Sequence, residues 1–399
     1  MQLCFFDDSG VQLLQPLTLT RPASDLRLGA CTIQEKWEHD LGLQSSFVYT
    51  SSHLSPLFNP GSPVESKKQL WINSRLLPDV DLVSLLKDSG ANRLFTYEGS
   101  IIAACLDAEH SVFVSKHGLD RENMGDLKVE RVTDCRMIRN LWDSFELNRQ
   151  ELSNDLNRLE VKSTGTFTHT PVYAASTPEH IYIGKEVKIE HGAVLIADEG
   201  PIVIQDGARI MAGAIVRGPV SIGSKSTIKM GAKIYGNCSI GPHCKVGGEV
   251  TDSIFHSYSN KGHDGFVGHS LIGQWVNIGA DTNTSNLKNN YSPVKIIDWS
   301  SGKNTATGKQ FFGSVLGDHT KTAINTMLNT GTVTGVSCNI VSDTFPPKWI
   351  PNFAWFSKGN IIKYNFDKAT DAMKAMMERR DIELSEDYIT MMRKLHAQD

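Results

Sequence analysis

The residue types best suited to chemistry lie in SNKGHDGFVGHSLIGQWVNIGADTNTSN, residues 259–286. The stretch contains His263 and His269 and ends in a run of Asn, Thr and Asp that is too polar for a core. An unperturbed histidine has a pKa of about 6.5, so it can accept and release a proton at neutral pH. Asparagine amides both donate and accept hydrogen bonds, as the binding of a polar ligand requires. We therefore predict that this stretch is an active site.

An aliphatic residue recurs at every sixth position in the tract before this stretch. The run is Ile204, Ile210, Val216, Ile222, Ile228, Ile234, Ile240 and Val246, and an earlier set, Ile183, Ile189 and Leu195, is offset by three. A fixed period of six is typical of a hexapeptide β-helix, in which three short faces make one coil. An amphipathic helix needs a period of about 3.6 instead. The tract is predicted to be a parallel β-helix.

The polar residues interrupt this repeat. Few aliphatic positions keep the period between residues 249 and 265, and it resumes at Phe266. It fails again over 281–309 and returns weakly from 316 to 340. Because a rigid scaffold usually carries its functional residues in loops, an interrupted solenoid indicates a site at the interruption.

Strands and helices alternate before the repeat, which predicts an α/β domain. Helices are expected at about 33–41, 78–87 and 145–160, the first with a capping box at Thr32 and Glu35. Expected strands lie at 2–6, 45–50, 69–73, 93–97 and 100–106.

The chain is predicted to have three domains. These are an α/β domain over residues 1–160, a β-helix over 161–345 and a helical tail over 346–399. In the tail, 366–380 and 385–396 have helical spacing and Met-rich faces, which we expect to pack on the solenoid or on a neighbouring subunit.

Composition argues against several partners. The net charge is −4 and the pI is about 6.4, which gives no footprint for nucleic acid or a membrane surface. Seven scattered cysteines without a CxxC pair indicate reduced thiols. The N-terminus lacks signal-peptide features, and no run reaches the roughly 18 apolar residues of a membrane helix. We expect a cytoplasmic location.

The stretch resembles the acetyltransferase domain of the bifunctional glucosamine-1-phosphate acetyltransferase/N-acetylglucosamine-1-phosphate uridyltransferase (GlmU-like) family, which makes UDP-N-acetylglucosamine. The resemblance rests on His263, on Phe266-Val267-Gly268, on Asn277-Ile278-Gly279-Ala280 and on Asn286. The motifs PLTLTRP, KMGAKIYG and LGDHTKTAINTMLNTGTV look like a divergent Bacteroidetes-type branch. The resemblance implies a left-handed β-helix, a homotrimer, and acetyl-CoA bound between subunits.

This resemblance and the chemistry of acetyl transfer suggest roles for individual residues. His263 is the predicted general base that takes the proton of the attacking amine. Glu249 matches a family glutamate that could orient the imidazole, and Lys233 falls at a basic phosphate ligand. Asn277 and Asn286 are predicted to bind sugar hydroxyls.

Two positions depart from the family pattern. Thr251 stands where the family has a second basic phosphate ligand, and Phe266 stands where it has an active-site tyrosine. Lys261, Lys288 or Lys295 could compensate. For acetyl-CoA we expect mostly backbone contacts along 312–342, with Lys309 or Lys321 near the phosphates.

The first domain also resembles a known family. PLTLTRP (16–22) with EKW (35–37) looks like the opening of sugar-1-phosphate nucleotidyltransferases, whose Gly-rich loop and Arg bind nucleotide phosphates. The loop glycines and that Arg are missing here, and only Gly10 remains. Arg21, Arg27 and Lys36 could still meet phosphates. Retained activity would imply UTP or dTTP, a sugar 1-phosphate and Mg²⁺.

Alternatives to acetyl transfer stay open at this point. The chain could transfer a nucleotide only, with the β-helix as an oligomerisation scaffold, or both sites could be degenerate. Some left-handed β-helices are zinc carbonic anhydrases with three histidine ligands at a subunit interface. The available histidines are His243, His256, His263, His269 and His319. The Asn-rich motif favours the acetyltransferase, so no metal ligands are predicted.

Overall fold

The computed structural model describes residues 1–59, 68–122, 124–125, 127–159, 173–174 and 177–398. Within these residues, an N-terminal α/β domain is followed by a parallel β-solenoid of the left-handed β-helix type and then by two C-terminal helices. The predicted fold class is therefore confirmed. The predicted boundary at 160/161 lies outside the described residues, so the domain limits stay a prediction.

The described part of the N-terminal domain contains a mixed sheet of six strands. Gln2–Phe6 pairs in parallel with Ser45–Tyr49 on one side and with Gln69–Asn73 on the other. The sheet continues through Ser100–Leu106, Arg93–Tyr97 and Lys128–Arg131. Because the chain crosses from one side of Gln2–Phe6 to the other, the carboxyl end of this strand is a topological switch point, where α/β sheets bind ligands.

The helices of this domain are α1 Ile33–Leu41, α2 Ser55–Phe58, α3 Val80–Asp88, α4 Ala108–His117 and α5 Asp143–Asn154. Helix α1 has the predicted capping box: the Glu35 amide donates to Thr32 Oγ1 at 3.2 Å, and the Thr32 amide donates to the Glu35 carboxylate at 2.6 Å. It ends at Gly42, which has a left-handed φ of 69°. Glycine tolerates this conformation because it has no Cβ. Short 3₁₀ turns occupy Ser9–Leu14, Leu17–Leu19 and Ala23–Asp25.

The solenoid stacks its strands on three faces. The first face contains Ile181–Ile183, Ile202–Ile204, Val220–Ile222, Cys238–Ile240, Ile254–Phe255, Leu271–Ile272, Ser314–Leu316, Thr332–Thr334 and Trp349–Ile350. The second contains Lys188–Ile189, Arg209–Ile210, Thr227–Ile228, Lys245–Val246, Asn260–Lys261, Lys321–Thr322, Asn339–Val341, Ala354–Ser357 and Asn360–Lys363. The third contains Tyr173–Ala174, Val194–Ile196, Ile215–Arg217, Lys233–Ile234, Glu249–Thr251 and Phe266–Gly268, extended by Asn283–Thr284 and Met327–Leu328.

The residues of the predicted period form the solenoid interior. All eight positions from Ile204 to Val246 are at most 2% exposed. The earlier set is in register with them, since Ile183 pairs with Ile204 and Ile189 with Ile210. Stacked strands are about 4.8 Å apart, so each aliphatic side chain lies on the equivalent side chain of the next coil.

The expected interruption between 249 and 265 is wrong. Val250, Phe255, Lys261 and Val267 are buried in turn and continue the interior column after Val246. Their spacings of four, five, six and six residues break the sequence period but not the coil. Phe266, expected in the interior, is only half-buried and is replaced there by Val267. The coil continues because the shorter spacings shorten the corners between the strands, while the strands keep their places on the faces.

The second expected interruption is a true excursion. Lys295–Ile297 pairs with Asn304–Ala306 as an antiparallel hairpin that leaves the coil. Val294, Ile296 and Phe312 are buried in the core that this excursion shares with the N-terminal domain. The loop therefore connects the solenoid to the first domain.

Two helices, α6 Phe366–Glu378 and α7 Glu386–Ala397, follow the solenoid. Their methionines Met373, Met391 and Met392 are buried together with Val336 and Phe353 of the solenoid. The Met-rich faces thus pack on the solenoid, as expected. No helix in the described part of the chain is long and apolar enough to cross a membrane.

Candidate active site

His263 lies at the corner between the second and third faces. It follows the second-face strand Asn260–Lys261, precedes the third-face strand Phe266–Gly268, and has an exposed side chain. It lines a cavity of about 740 Å³ together with Asn277, Gly279 and Ala280. The structure therefore brings the predicted base and the Asn-Ile-Gly-Ala motif into one open cavity.

Three further predicted residues form one row on the third face. Lys233 pairs in register with Glu249, and Glu249 pairs with Phe266. The backbones of neighbouring strands in such a row are about 4.8 Å apart, so their side chains lie next to one another. Among the described residues, no hydrogen bond joins the Glu249 carboxylate to the His263 imidazole, and the orienting role of Glu249 stays a prediction. Unliganded sites often hold such pairs apart, so the role is still open to test.

Asn277 and Asn286 are not neighbours in the chain's fold. Asn277 lies on the second face, bridged to Asn260 and Lys321. Asn286 follows the third face, and its Nδ2 is 3.1 Å from His269 Nδ1. Within one chain, the two predicted sugar ligands thus lie on different faces, with His263 at the corner between those faces.

His269 belongs to the contact with the N-terminal domain. Its ring stacks on Phe311 at 5.1 Å and meets Phe145 of α5 edge-on at 5.8 Å. Burial lowers the pKa of His269, although Asp252 opposes this shift. The imidazole therefore lies in an aromatic contact with the N-terminal domain, away from the His263 cavity.

Lys261 lies inside the solenoid and is 1% exposed. Its side chain is buried, and Nζ donates to the carbonyl oxygens of Gly247 and His263, each at 3.0 Å. Burial lowers the pKa of Lys261 from 10.5 to about 8, against the nearby charges of Asp264, Asp281 and Glu249. The predicted substrate contact is corrected to a structural one, since Lys261 fixes the backbone of the His263 corner.

Replacing Lys261 with methionine is expected to change how stability depends on pH. Because the pKa of Lys261 is about 8 in the folded protein and 10.5 for an ordinary lysine, the unfolded chain binds more protons between these pH values. The wild type should therefore gain up to about 3 kcal/mol of stability as pH rises through this window. The variant lacks this gain.

Thermal unfolding of both proteins between pH 7.5 and 10.5 measures this difference. An exposed second-face lysine, changed as Lys188→Met, provides the control. A gap between wild type and Lys261→Met that stays constant across the range contradicts the assignment.

Four other lysines were predicted as ligands: Lys288 and Lys295 to compensate for the two departures from the family pattern, and Lys309 and Lys321 near the acetyl-CoA phosphates. Three of them contact protein groups. Lys288 Nζ donates to the Pro293 carbonyl at 2.8 Å, and Lys295 is exposed on the hairpin. Lys309 pairs with Glu146 of α5, and Lys321 donates to the His319 carbonyl at 3.0 Å. Burial lowers the pKa of Lys321 to about 8. None of the four lines the His263 cavity.

The three N-terminal phosphate candidates are buried in ion pairs. Arg21 is 1% exposed and pairs with Asp318 of the solenoid. Arg27 donates to the Ala30 carbonyl and lies 3.8 Å from the Glu35 carboxylate, and Lys36 is fully buried between Glu151, at 2.8 Å, and Asp155. Their charges are matched by protein groups, so the structure does not place them as the open phosphate ligands that the sequence suggested.

A second cavity of about 720 Å³ opens at the switch point of the N-terminal sheet. Asp7 and Asp8 line it at the end of Gln2–Phe6 together with Lys116 and with His53, whose pKa is lowered by burial. Burial raises the pKa of Asp7 to about 6, while Asp8 is bonded to Arg75 at 2.6 Å. Mg²⁺ is often held by one or two carboxylates plus substrate phosphates, so Asp7 and Asp8 are the residues that could hold it here.

Two of the histidines considered as zinc ligands stack on aromatic rings within the chain. No group of three His, Cys, Asp or Glu side chains in the described part of the chain could hold a metal ion. His243 and His319 belong instead to a column of stacked rings with Tyr258 and Trp275, with centroid distances of 4.9, 4.2 and 6.1 Å. Each of the four has a positive φ near 60° at a corner of the solenoid. The histidines stabilise successive corners by stacking.

Sequence reasoning missed four basic residues of the His263 cavity. These are Lys229, Lys245, Arg379 and Arg380. Lys245 lies in the outward row that continues to Asn260 and Asn277, so counting one residue before each interior position would have found it. No local signal brings the end of α6 to this place.

Comparison with known proteins supports the two-part organisation. Residues 3–164 match the family model described as sugar nucleotidyl transferase. The bifunctional protein GlmU of Buchnera aphidicola is 28% identical over 261 residues, covering 60% of this chain and 53% of that protein. The GlmU protein of Methanocaldococcus jannaschii is 32% identical over 162 residues, covering 38% and 36%. The relative from Janthinobacterium is 26% identical over 170 residues, covering 36% and 37%.

The N-terminal domain therefore resembles sugar nucleotidyl transferases over residues 3–164. The chain is similar over part of its length to several bifunctional GlmU proteins. It spans about a third to a half of the length of these relatives.

Solved structures give weaker similarities. A UDP-N-acetylglucosamine acyltransferase from Campylobacter jejuni is 16% identical with a TM-score of 0.22, covering 52% of this chain and 93% of that one. The S84T mutant of AntD, an N-acyltransferase from Bacillus cereus in complex with dTDP and coenzyme A, is 15% identical with a TM-score of 0.24, covering 49% and 90%. These TM-scores are low, and the solenoid is identified from its own strand pairing.

Proposed function

We propose that this protein is an acetyl-CoA-dependent N-acetyltransferase acting on an amino-sugar 1-phosphate such as glucosamine 1-phosphate. In the proposal, sugar-1-phosphate nucleotidyl transfer in the first domain completes the synthesis of UDP-N-acetylglucosamine. The observation that carries it is the exposed His263 at a solenoid corner, in one cavity with Asn277 and four basic side chains. A cytoplasmic location stays a prediction.

The proposed chemistry needs one proton acceptor and an anchored substrate. The substrate amine attacks the thioester carbonyl carbon of acetyl-CoA, and His263 removes the amine proton as the new C–N bond forms. The C–S bond then breaks, and the proton held by His263 neutralises the departing thiolate. Lys261 assists indirectly, because it bonds the His263 carbonyl and so fixes the corner.

A homotrimer is part of this proposal. Asn277 and the Lys233–Glu249–Phe266 row lie on different faces of one chain, and a neighbouring solenoid could bring a second face against a third face. Large apolar side chains along these faces are exposed, as expected for a surface covered by another subunit: Ile215, Met230, Tyr235, Ile324 and Met327. Sedimentation equilibrium of the purified chain tests this, and a monomer would contradict it.

Two separate assays test the proposed activity. The first measures thiol release from acetyl-CoA with glucosamine 1-phosphate as acceptor. The second measures pyrophosphate release from UTP or dTTP with a sugar 1-phosphate and Mg²⁺. We expect activity in the first assay. Activity in the second alone would reject acetyl transfer as the function of the solenoid.

Nucleotidyl transfer alone, with the solenoid as an oligomerisation scaffold, is the second candidate. It is favoured by the cavity of about 720 Å³ at the switch point of a domain that matches sugar nucleotidyl transferases. Against it, Arg21, Arg27 and Lys36 are already paired with protein groups, and the Gly-rich loop is missing. A triphosphate would therefore meet few free cations in this cavity.

A further inference from the structure

Four cations converge on the cavity beside His263. Lys229 lies at the corner after a second-face strand, Lys245 lies on the outward row of that face, and Arg379 and Arg380 follow the end of α6. The lining contains no Asp or Glu. This wall of the cavity therefore carries about four positive charges without a carboxylate.

Protein groups neutralise little of this charge. In the described part of the chain, none of the four cations has a carboxylate oxygen within 4.0 Å. Arg380 Nη2 donates to Asn260 Oδ1 at 3.2 Å, which is a neutral acceptor. Glu190, a carboxylate on which Lys229 acts electrostatically, is already held by Arg209 and by the Ala212 amide at 2.9 Å.

The cations also act on one another. The charge of Arg380 lowers the pKa of Lys245, and burial, Lys229 and Arg379 lower it further. Neighbouring positive charges repel one another, and this repulsion destabilises the folded protein unless an anion lies between them. A bound anion would thus be stabilised by the same repulsion that it relieves.

The helix dipole explains only part of this arrangement. Basic residues are favoured at the C-terminus of any helix, which accounts for Arg379 and Arg380 on α6. It does not account for Lys229 and Lys245, which belong to the solenoid and face the end of that helix. Met373 and Met377 are 1% and 5% exposed, so α6 is held in place by packing.

We propose that Lys229, Lys245, Arg379 and Arg380 form a binding subsite for a phosphate ester whose reactive end lies at His263. Arginine binds phosphate with two parallel hydrogen bonds and lysine binds it as a point charge. The ligand choice rests on the proposed acetyl transfer, which supplies two sources of phosphate: the nucleotide part of coenzyme A and the sugar 1-phosphate. The subsite is separate from Lys233, which does not line this cavity.

Calorimetric titration of the full chain tests the subsite without requiring turnover. The probes are coenzyme A, dephospho-coenzyme A, glucosamine 1-phosphate and glucosamine. The test variant is Arg379→Gln/Arg380→Gln, and the matched control is Lys368→Gln/Lys374→Gln, which removes two exposed charges from the same helix outside the cavity. Lys245→Gln provides a second test variant on the solenoid, in case the helix change disturbs folding.

A phosphate-bearing probe should bind the test variants at least about 10-fold more weakly, with the control unchanged, because each variant removes charged hydrogen bonds to the phosphate. Loss confined to coenzyme A assigns the donor, and loss confined to glucosamine 1-phosphate assigns the acceptor. If the variants lose less affinity for dephospho-coenzyme A than for coenzyme A, the 3′-phosphate is the group that contacts the four cations.

Unchanged affinities in both test variants, equal losses in the control, or no binding of any phosphate probe by the wild type would overturn the subsite. The proposed function fails separately. If acetyl transfer is absent but the phosphate probes still depend on these cations, the subsite stands and the reaction is wrong. If acetyl transfer occurs and both KM values are unaffected in the variants, the reaction stands and the subsite is wrong.

Discussion

Replacement of His263 by alanine is expected to lower kcat/KM for acetyl transfer from acetyl-CoA to glucosamine 1-phosphate by about 10²–10⁴-fold. The amine cannot attack while it holds its extra proton, and His263 is the exposed proton acceptor of the cavity that also holds Asn277. Removal of a base acts mainly on the chemical step, so kcat should fall more than KM rises.

His191 offers a matched control for this experiment. It lies two residues after the second-face interior position Ile189, as His263 does after Lys261, and it is also exposed. It does not line the cavity. His191→Ala should retain wild-type kinetics. Full activity in His263→Ala with either substrate at saturation would exclude His263 as the base.

Replacement of Lys36 by methionine is expected to destabilise the N-terminal domain by about 3–5 kcal/mol. The ammonium lies between Glu151 and Asp155, and the side chains of all three are fully buried. Burial alone would raise the pKa of Glu151, but Lys36 and Arg136 lower it overall, so the carboxylate is ionised and needs its partner. Asp155 also accepts from the amides of Ala30 and Cys31, which ties the loop before α1 to α5.

Urea unfolding followed by near-ultraviolet circular dichroism measures this loss. Lys128→Met, an exposed change on the edge strand of the same sheet, should stay within about 0.5 kcal/mol of the wild type. Should Lys36→Met keep wild-type stability while weakening UTP binding, Lys36 would be a phosphate ligand and its structural role would be refuted.

The sequence predicted the regular parts of this protein well, because their signals are local. Helix α1 begins at Thr32 and ends at Gly42 through a capping box and a glycine that lie within the helix's own residues. The interior of the solenoid follows from Ile204 to Val246, since each hexad places one aliphatic side chain inward. The base candidate His263 and the Asn277 motif were likewise visible, and the structure places both at one cavity.

The burial of the charged candidates was not predictable from their residue types. Arg21, Lys36 and Lys261 each have the chemistry of a phosphate ligand, but their partners are Asp318, Glu151 with Asp155, and backbone carbonyls. Arg21 and Asp318 are 297 residues apart in sequence. Whether a lysine meets solvent or a carboxylate depends on which distant element packs against it.

By itself, then, the stretch 259–286 determined that polar, proton-accepting residues occur on a β-helix, because residue type and strand period are local properties. Tertiary structure decided the rest. The corner lengths turned Lys261 inward and left His263 outward, since each strand must lie in register on the coil before it. The packing of α6 then brought Arg379 and Arg380 to Lys229 and Lys245, about 130 or more residues away in the chain, because buried methionines fix the helix on the solenoid.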